Sequence, residues 1–155
     1  MPLDHAWLLA HIPHQGSMCL LDRIESWDSH HIRCSASSHR APDNPLRAHG
    51  RLGAACGIEY AAQAMAAHGA LLAAADSPPR AGYLASVRGV ELRVARLDDV
   101  AADLRVEAER VSGDDNTILY GFSVFAGHEL LLSGRAIVVL DAALLDAAKP
   151  GNTPS

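Results

Sequence analysis

A single long helix is predicted by the residues Gly50-Arg-Leu-Gly-Ala-Ala-Cys-Gly-Ile-Glu-Tyr-Ala-Ala-Gln-Ala-Met-Ala-Ala-His-Gly69. The helix carries one carboxylate, Glu59, with Gln63 about one turn later. Its alanines and glycines allow other parts of the backbone to approach closely. Burial of a carboxylate among apolar residues costs free energy unless the acid has a partner or a function. We therefore expect other elements to wrap this helix, and Glu59 is the first candidate for a functional residue.

The segments around this helix have the patterns of strands. The expected order is a short helix, two strands, the long helix and four more strands, at residues 3–11, 18–27, 31–37, 50–75, 83–94, 101–111, 117–125 and 129–140. Residues 76–80 include two prolines and should end the long helix. The connections between the last four strands are too short for parallel crossovers, so the sheet is expected to be antiparallel.

The clearest strand pattern lies in residues 104–109, where apolar and charged side chains alternate as in a half-buried strand. Residues 113–116 consist of Gly, Asp and Asn, and residues 126–128 contain a Gly. Both segments therefore predict hairpin turns, one on each side of residues 117–125. These turns favour an antiparallel meander at the end of the chain.

Bulk properties indicate one small domain. The 155 residues suffice for a single core, assigned to 1–146, and residues 147–155 are expected to be a disordered tail. A formal net charge of −5 argues against nonspecific nucleic-acid binding. We expect no membrane insertion and no signal peptide. Three cysteines do not suggest a disulfide framework, which favours a reducing, cytoplasmic location.

Two motifs resemble those of a known family. Ile12-Pro-His-Gln-Gly-Ser-Met-Cys-Leu-Leu-Asp-Arg-Ile24 and Gly57-Ile-Glu-Tyr-Ala-Ala-Gln63 resemble segments of hot-dog-fold 3-hydroxyacyl-[acyl-carrier-protein] dehydratases, in the branch found in aryl polyene pigment clusters. The order of elements agrees over nearly the whole chain. The resemblance implies an α+β hot-dog fold, an antiparallel sheet wrapped around one central helix. It also implies dehydration of 3-hydroxyacyl thioesters to 2-enoyl thioesters in polyene or fatty-acid-type chain synthesis.

The chain departs from the family pattern at the catalytic histidine. Fatty-acid dehydratases of this fold carry it in a Gly-His-Phe-Pro segment, and the corresponding position here, 14 residues before Glu59, is Pro45. His49 lies nearby but out of register by four residues. His14 belongs to the motif that does match. Either His14 or His49 is a candidate to replace the missing catalytic histidine. The missing histidine is also consistent with a noncatalytic subunit.

The dehydration chemistry assigns a role to each candidate. A histidine, His14 or His49, takes the C2 proton because its pKa lies near neutral pH. Burial is expected to raise the pKa of Glu59, so that the acid stays protonated and donates to the departing hydroxyl. By alignment with the family, the backbone near Ala54 supplies N–H groups to the thioester oxygen. Ala54, Gln63 and His49 are therefore the candidate substrate-binding residues, and no metal is expected.

The residues also allow plainer interpretations. Glu59 can belong to a structural ion pair or to the seam of a dimer, and Gln63 can orient its neighbours without contacting substrate. His14 can anchor its segment through a hydrogen bond, and His49 suits an exposed loop. The same fold also supports a thioesterase, in which an ionised Glu59 would activate water.

Partners are implied by the resemblance and by the arginines. The substrate is expected on the phosphopantetheine of an acyl carrier protein, with no other cofactor. Such carriers are acidic, and arginines flank the long helix at positions 40, 47, 51, 80 and 88. We select Arg47, Arg51 and Arg88 as the docking residues; the alternative is that these arginines only keep the surface soluble. The family implies a homodimer, with a heteromer containing a second dehydratase as the alternative.

Overall fold

The computed structural model describes residues 3–73, 83–114 and 116–139. It contains the helices α1 (His5–His11) and α2 (Gly57–Leu72) and the strands β1 (Leu3–Asp4), β2 (Arg23–Trp27), β3 (His31–Ala36), β4 (Tyr83–Leu92), β5 (Leu104–Gly113), β6 (Thr117–Ala126) and β7 (Glu129–Val139). Short 3₁₀ turns lie at Gly16–Met18, Ser38–Arg40 and Ala54–Cys56. The expected helix break at 76–80 and the expected tail at 147–155 fall outside the described residues.

The strands form one antiparallel sheet, as predicted. Its order is β1-β2-β3-β5-β6-β7-β4, so β4 lies at one edge beside β7. The two predicted hairpins are present, with Gly113 opposite Ile118 and Ala126 opposite Glu129. Gly127 has a φ of +59° in the second turn, a conformation that glycine adopts without steric cost. The meander of the last strands is therefore set by local turn chemistry.

Helix α2 packs on one face of the sheet, against β3, β5 and β6. The small residues of the helix permit this contact. A Cβ atom at Gly57 would come within 2.6 Å of a Leu132 methyl group. In β5, Leu104, Val106 and Ala108 are buried beneath the helix, which confirms the predicted alternation. The sequence pattern thus identified both the wrapped helix and the face of the sheet that it covers.

Two predicted boundaries are wrong. Helix α2 begins at Gly57 and not at Gly50, because Gly50 has a φ of +75° and Gly53 is extended. The strand predicted at 18–27 is regular only over Arg23–Trp27. Residues 19–21 are buried but bind partners outside a strand ladder. An apolar run in the sequence does not by itself distinguish an irregular buried segment from a strand.

The far end of α2 is tied to the sheet by a buried histidine. His68 is fully buried, its Nε2 atom donates to the Asp28 carbonyl at 2.8 Å, and the Tyr120 hydroxyl donates to its Nδ1 atom at 2.8 Å. Burial lowers the pKa of His68 and raises the pKa of Tyr120 to about 12. His68 is therefore a neutral core residue with both ring nitrogens satisfied.

Within the described ranges, no helix is both long and apolar enough to cross a membrane.

Candidate active site

His14 and Glu59 meet at the start of α2. The Nε2 atom of His14 lies 3.1 Å from Oε1 of Glu59, and the two side chains are 22% and 34% exposed. Glu59 stands in the first turn of the helix, while His14 comes from the segment between α1 and the turn at Gly16–Met18. Two residues from the two family-like motifs thus form one partly open pair.

Gln63 fastens the His14 segment to the helix. Its Oε1 atom accepts from the Leu20 amide at 2.8 Å, and its Nε2 atom donates to the Met18 carbonyl at 2.6 Å. A longer contact of 3.5 Å joins Nε2 to Glu59. Gln63 is fully buried, so both ends of its amide are used inside the protein. These bonds occupy the Gln63 amide and hold residues 18–20 on α2, and the predicted contact with substrate stays a prediction.

The carboxyl group of Glu59 is ionised at neutral pH. The hydrogen bond from His14 is the main cause that lowers its pKa, and the Gln63 contact acts in the same direction. Burial of the carboxyl group raises its pKa, but this effect is smaller than the lowering by the His14 hydrogen bond. A carboxylate in the first turn is also favoured by the helix dipole. The predicted rise in the pKa of Glu59 was therefore wrong, because the desolvation argument omitted donors brought by tertiary structure.

The pairing determines the proton positions on a neutral His14 ring. Nε2 must carry hydrogen to donate to the Glu59 carboxylate, so Nδ1 has a free lone pair. Nδ1 is buried and has no hydrogen-bond partner among the described residues. An imidazole held by a carboxylate on one nitrogen and unoccupied on the other can accept a proton, as in a catalytic triad. The arrangement has the hydrogen-bond pattern of a general base.

His49 is not part of this pair. It is exposed, has a φ of +54°, and lies in the tight turn closed by the Ala48–Arg51 bridge. It makes no ion pair with Glu59 in the described part of the chain. Of the two histidines left open by the sequence, the structure brings His14 to the helix acid.

The amide of Ala54 is already occupied. Ala54 is buried, and its N–H donates to the Ala95 carbonyl at 3.1 Å. The segment before α2 pairs with the loop after β4, as the bond from Leu97 N to Leu52 O at 2.8 Å also shows. The predicted use of the Ala54 N–H for the thioester oxygen therefore fails. Ala55 is the exposed residue of the same turn.

Sequence reasoning missed the residue that holds this segment in place. Asp98 accepts from the Leu52 amide at 2.9 Å and pairs with the Arg96 guanidinium. Its carboxyl is nearly buried, and the Arg96 hydrogen bond holds its pKa far below the ordinary value. The sequence shows only two adjacent aspartates in a loop, and the contact with Leu52 depends on tertiary structure.

The predicted docking arginines do not form one group. Arg47 donates to the carbonyls of Ala41, Arg40 and Gly50, and it therefore braces its own loop. Arg51 is exposed. Arg88 lies on β4 and points to the outer face of the sheet, opposite the face that carries α2, because its neighbour Val87 packs on the core.

Arg40, another of the arginines that flank the long helix in sequence, pairs with Asp103. Arg80 lies outside the described residues.

Comparisons with known proteins place the chain among dehydratases. A family model described as "ApeP-like: ApeP dehydratase" matches residues 8–148. A dehydratase heterocomplex, ApeI:P from Xenorhabdus doucetiae, is similar in structure, with a TM-score of 0.79 at 18% identity, over 92% of this chain and 97% of that chain.

A mutant thioesterase from Pseudomonas aeruginosa has a TM-score of 0.64 at 13% identity, over 88% and 92% of the two chains. Together these neighbours confirm the predicted hot-dog fold. No curated protein sequence matched this chain.

Proposed function

Since the chain belongs to the ApeP-like dehydratase family, we propose that it removes water from a 3-hydroxyacyl thioester and forms the 2-enoyl thioester. The contact between His14 Nε2 and Glu59 Oε1, 3.1 Å long, carries this proposal. The acyl group is carried on the phosphopantetheine of an acyl carrier protein, and the reaction uses no other cofactor.

His14 performs both proton transfers in the proposed reaction. Its Nδ1 atom takes a proton from C2, and the electron pair moves toward the thioester oxygen. Glu59 stays ionised and stabilises the imidazolium that forms. The same Nδ1–H then protonates the 3-hydroxyl, the C3–O bond breaks, and water leaves as the C2–C3 double bond forms. General acid–base catalysis of this kind contributes about 10²–10⁴-fold to a rate.

The thioester oxygen needs a hydrogen-bond donor while it carries enolate charge. Ala55 is the proposed donor, because it is exposed in the turn that leads into α2, whereas the Ala54 amide is occupied. The positive end of the helix dipole supports the same charge. One such donor is worth about 3–4 kcal/mol of the barrier in other acyl-transfer enzymes.

A thioesterase is the second candidate, and one observation favours it. The ionised state of Glu59 suits a general base that activates water. The dehydratase proposal is preferred because the unoccupied Nδ1 of His14 supplies the proton acceptor that abstraction from C2 requires.

The test is mass spectrometry of a carrier protein loaded with a 3-hydroxyacyl group and incubated with the purified chain. Loss of one water with the acyl group still attached supports the dehydratase. Release of the free acid would instead establish a thioesterase. An unchanged acyl carrier, under conditions where binding to the chain is measured, would identify a noncatalytic subunit and contradict the proposal.

Arg51 is the proposed docking residue for the acidic carrier, since Arg47 braces its loop and Arg88 faces outward. We expect Arg51→Glu to raise the KM for the carrier-bound substrate about tenfold, because repulsion replaces attraction at the interface. The KM for the same acyl group on free pantetheine should not change. Arg33→Glu, a charge reversal on the outer face of the sheet, is the control. Equal effects on both substrates would contradict the docking role.

The edge strand β4 is the proposed dimer interface. It exposes Tyr83, Leu84 and Leu92 to 44%, 41% and 49%, and its outer backbone edge has no neighbouring strand in the described sheet. Long apolar edges of this kind favour pairing with another chain. The partner is a second copy, with a second dehydratase subunit as the alternative, since the similar ApeI:P structure is a heterocomplex.

We expect the double variant Leu84→Lys with Leu92→Lys to sediment as a monomer where the wild type sediments as a dimer. Val111→Lys is the matched control, because Val111 is exposed on β5 and away from the edge. A dimer that survives the double change would place the interface elsewhere. A wild-type chain that is monomeric until a second dehydratase is added would exclude the homodimer in favour of the heteromer.

A further inference from the structure

A trough of about 890 Å³ lies on the outer face of the sheet, away from His14 and Glu59. Strands β5, β6, β7 and β4 form its floor, and small side chains occupy the centre at Gly121, Ser123 and Ser133. Small-molecule sites in proteins have volumes of roughly 300–1,000 Å³. The trough is therefore large enough for an organic ligand, and the proposed reaction makes no use of it.

Two arginines line one side of this trough. Arg88 and Arg135 stand directly opposite each other on β4 and β7, and both are exposed. Like charges in this arrangement destabilise a sheet unless something neutralises them. Neither guanidinium forms an ion pair with any carboxylate in the ranges that the structure describes.

The acids of the same face do not neutralise these arginines. Glu107 is bound by Arg105 at 2.7 Å and by Arg33 at 3.7 Å, and Glu109 lies 3.6 Å from His31, a contact that is an ion pair only when the imidazole is protonated. Glu91, the remaining acid of the trough, pairs with Arg93 at 3.7 Å. Arg88 and Arg135 therefore have guanidinium groups that no carboxylate of the described residues occupies, although the whole chain has a net charge of −5.

Gly121 keeps a gap open between the two sides of the trough. It lies in register between Glu109 and Arg135. A Cβ atom there would meet only a Val111 methyl group at 3.9 Å, an ordinary contact, and no positive φ requires glycine. Glycine weakens the interior of a strand, and it often marks a place where a ligand approaches the backbone closely. Packing therefore does not require glycine at this position, and the missing side chain leaves the backbone open to a ligand.

The trough also offers an apolar surface beside the arginines. Leu119 and Ile137 pair across β6 and β7, two residues along from the row of Gly121 and Arg135, and both line the trough. We propose that this outer face binds an organic anion, with a phosphate or carboxylate head between Arg88 and Arg135 and an apolar body over Leu119 and Ile137. Paired guanidinium groups suit such heads because they donate charge-assisted hydrogen bonds.

Calorimetric titration of the full chain with monomeric octyl phosphate tests this site. Inorganic phosphate and octyl glucoside serve as probes that lack the tail or the charge, and they should bind more weakly or not at all. Arg88→Gln and Arg135→Gln are each expected to weaken octyl phosphate binding about tenfold or more. Gly121→Leu should block binding by filling the gap.

Arg23→Gln is the matched control, since Arg23 lies on the same face, pairs with Glu25 and does not line the trough. Circular dichroism establishes that each variant is folded. The proposal is overturned if the wild type does not bind octyl phosphate at millimolar concentration, or if the control weakens binding as much as the two trough variants. Binding to phosphatidylglycerol vesicles without binding of monomeric octyl phosphate would identify a lipid surface instead, and would also overturn it.

Discussion

His14→Ala and Glu59→Gln are each expected to lower kcat for dehydration by about 100-fold or more, within the range found for loss of an acid–base residue. The first change removes the group that moves the proton. The second leaves the imidazole in place but removes the carboxylate that fixes its tautomer and stabilises its charged form. The measurement is the rate of water loss from a 3-hydroxyacyl carrier, followed by mass spectrometry at saturating substrate.

His49→Ala distinguishes the two histidines that the sequence left open. Because His49 is exposed in a separate turn, the His49 variant should keep wild-type kcat. A large loss in the His49 variant with full activity in the His14 variant would move the base to the loop. Wild-type activity in both the His14 and the Glu59 variants would show that the pair is structural.

The lowered pKa of Glu59 adds a pH criterion. The carboxylate supports the proposed reaction only when ionised, and His14 accepts the C2 proton only when its ring is neutral, so kcat/KM should fall on the acid side as either group is protonated. The ionised Glu59 carboxylate also stabilises the folded chain, and this contribution, like activity, is lost at low pH. It is present above the pKa of Glu59 in the unfolded chain and is lost as the pH falls through that of the folded chain. A protonated Glu59 donor would instead require activity to fall as the pH rises through its pKa.

The sequence predicted those features that depend on local pattern. Alternation over residues 104–109 identified the buried face of β5, and the small residues around Gly57 predicted the wrapped helix. The segment at 19–21 was assigned wrongly because its apolar side chains are buried without a strand ladder. Its backbone bonds to the Gln63 amide and Ser38 hydroxyl, which are distant in sequence, and periodicity contains no information about such partners.

In the candidate site, too, residue types could be predicted from local motifs, whereas tertiary contacts could not. Glu59 and His14 could be selected from their motifs, but their contact and the resulting charge state could not. The desolvation argument for Glu59 was sound for an isolated acid, and it failed because His14 and Gln63 donate to the carboxylate. The outward direction of Arg88 also required the register of β4 against β7. Tertiary partners, rather than residue types, set the proton positions of this site.

Gln63→Leu is expected to reduce both stability and activity. It leaves the Leu20 amide and the Met18 carbonyl without partners, at a cost of about 1–3 kcal/mol for each buried group. The His14 segment would then lose its attachment to α2, so the contact between His14 and Glu59 should loosen. We expect the free energy of unfolding in urea to fall by roughly 2–4 kcal/mol and kcat to fall with it, measured at a temperature where the variant is folded.

Gln15→Leu is the matched control, because Gln15 lies in the same segment but is exposed and donates only to the Leu9 carbonyl at 3.0 Å. A positioning role for Gln63 predicts one change that a general loss of stability does not. The loosened contact between His14 and Glu59 should lower kcat in folded Gln63→Leu while the KM for the carrier-bound substrate stays unchanged, because the docking residue Arg51 is not altered. Normal kcat in the folded variant, despite reduced stability, would reduce Gln63 to a packing residue and separate its buried hydrogen bonds from the chemistry of His14.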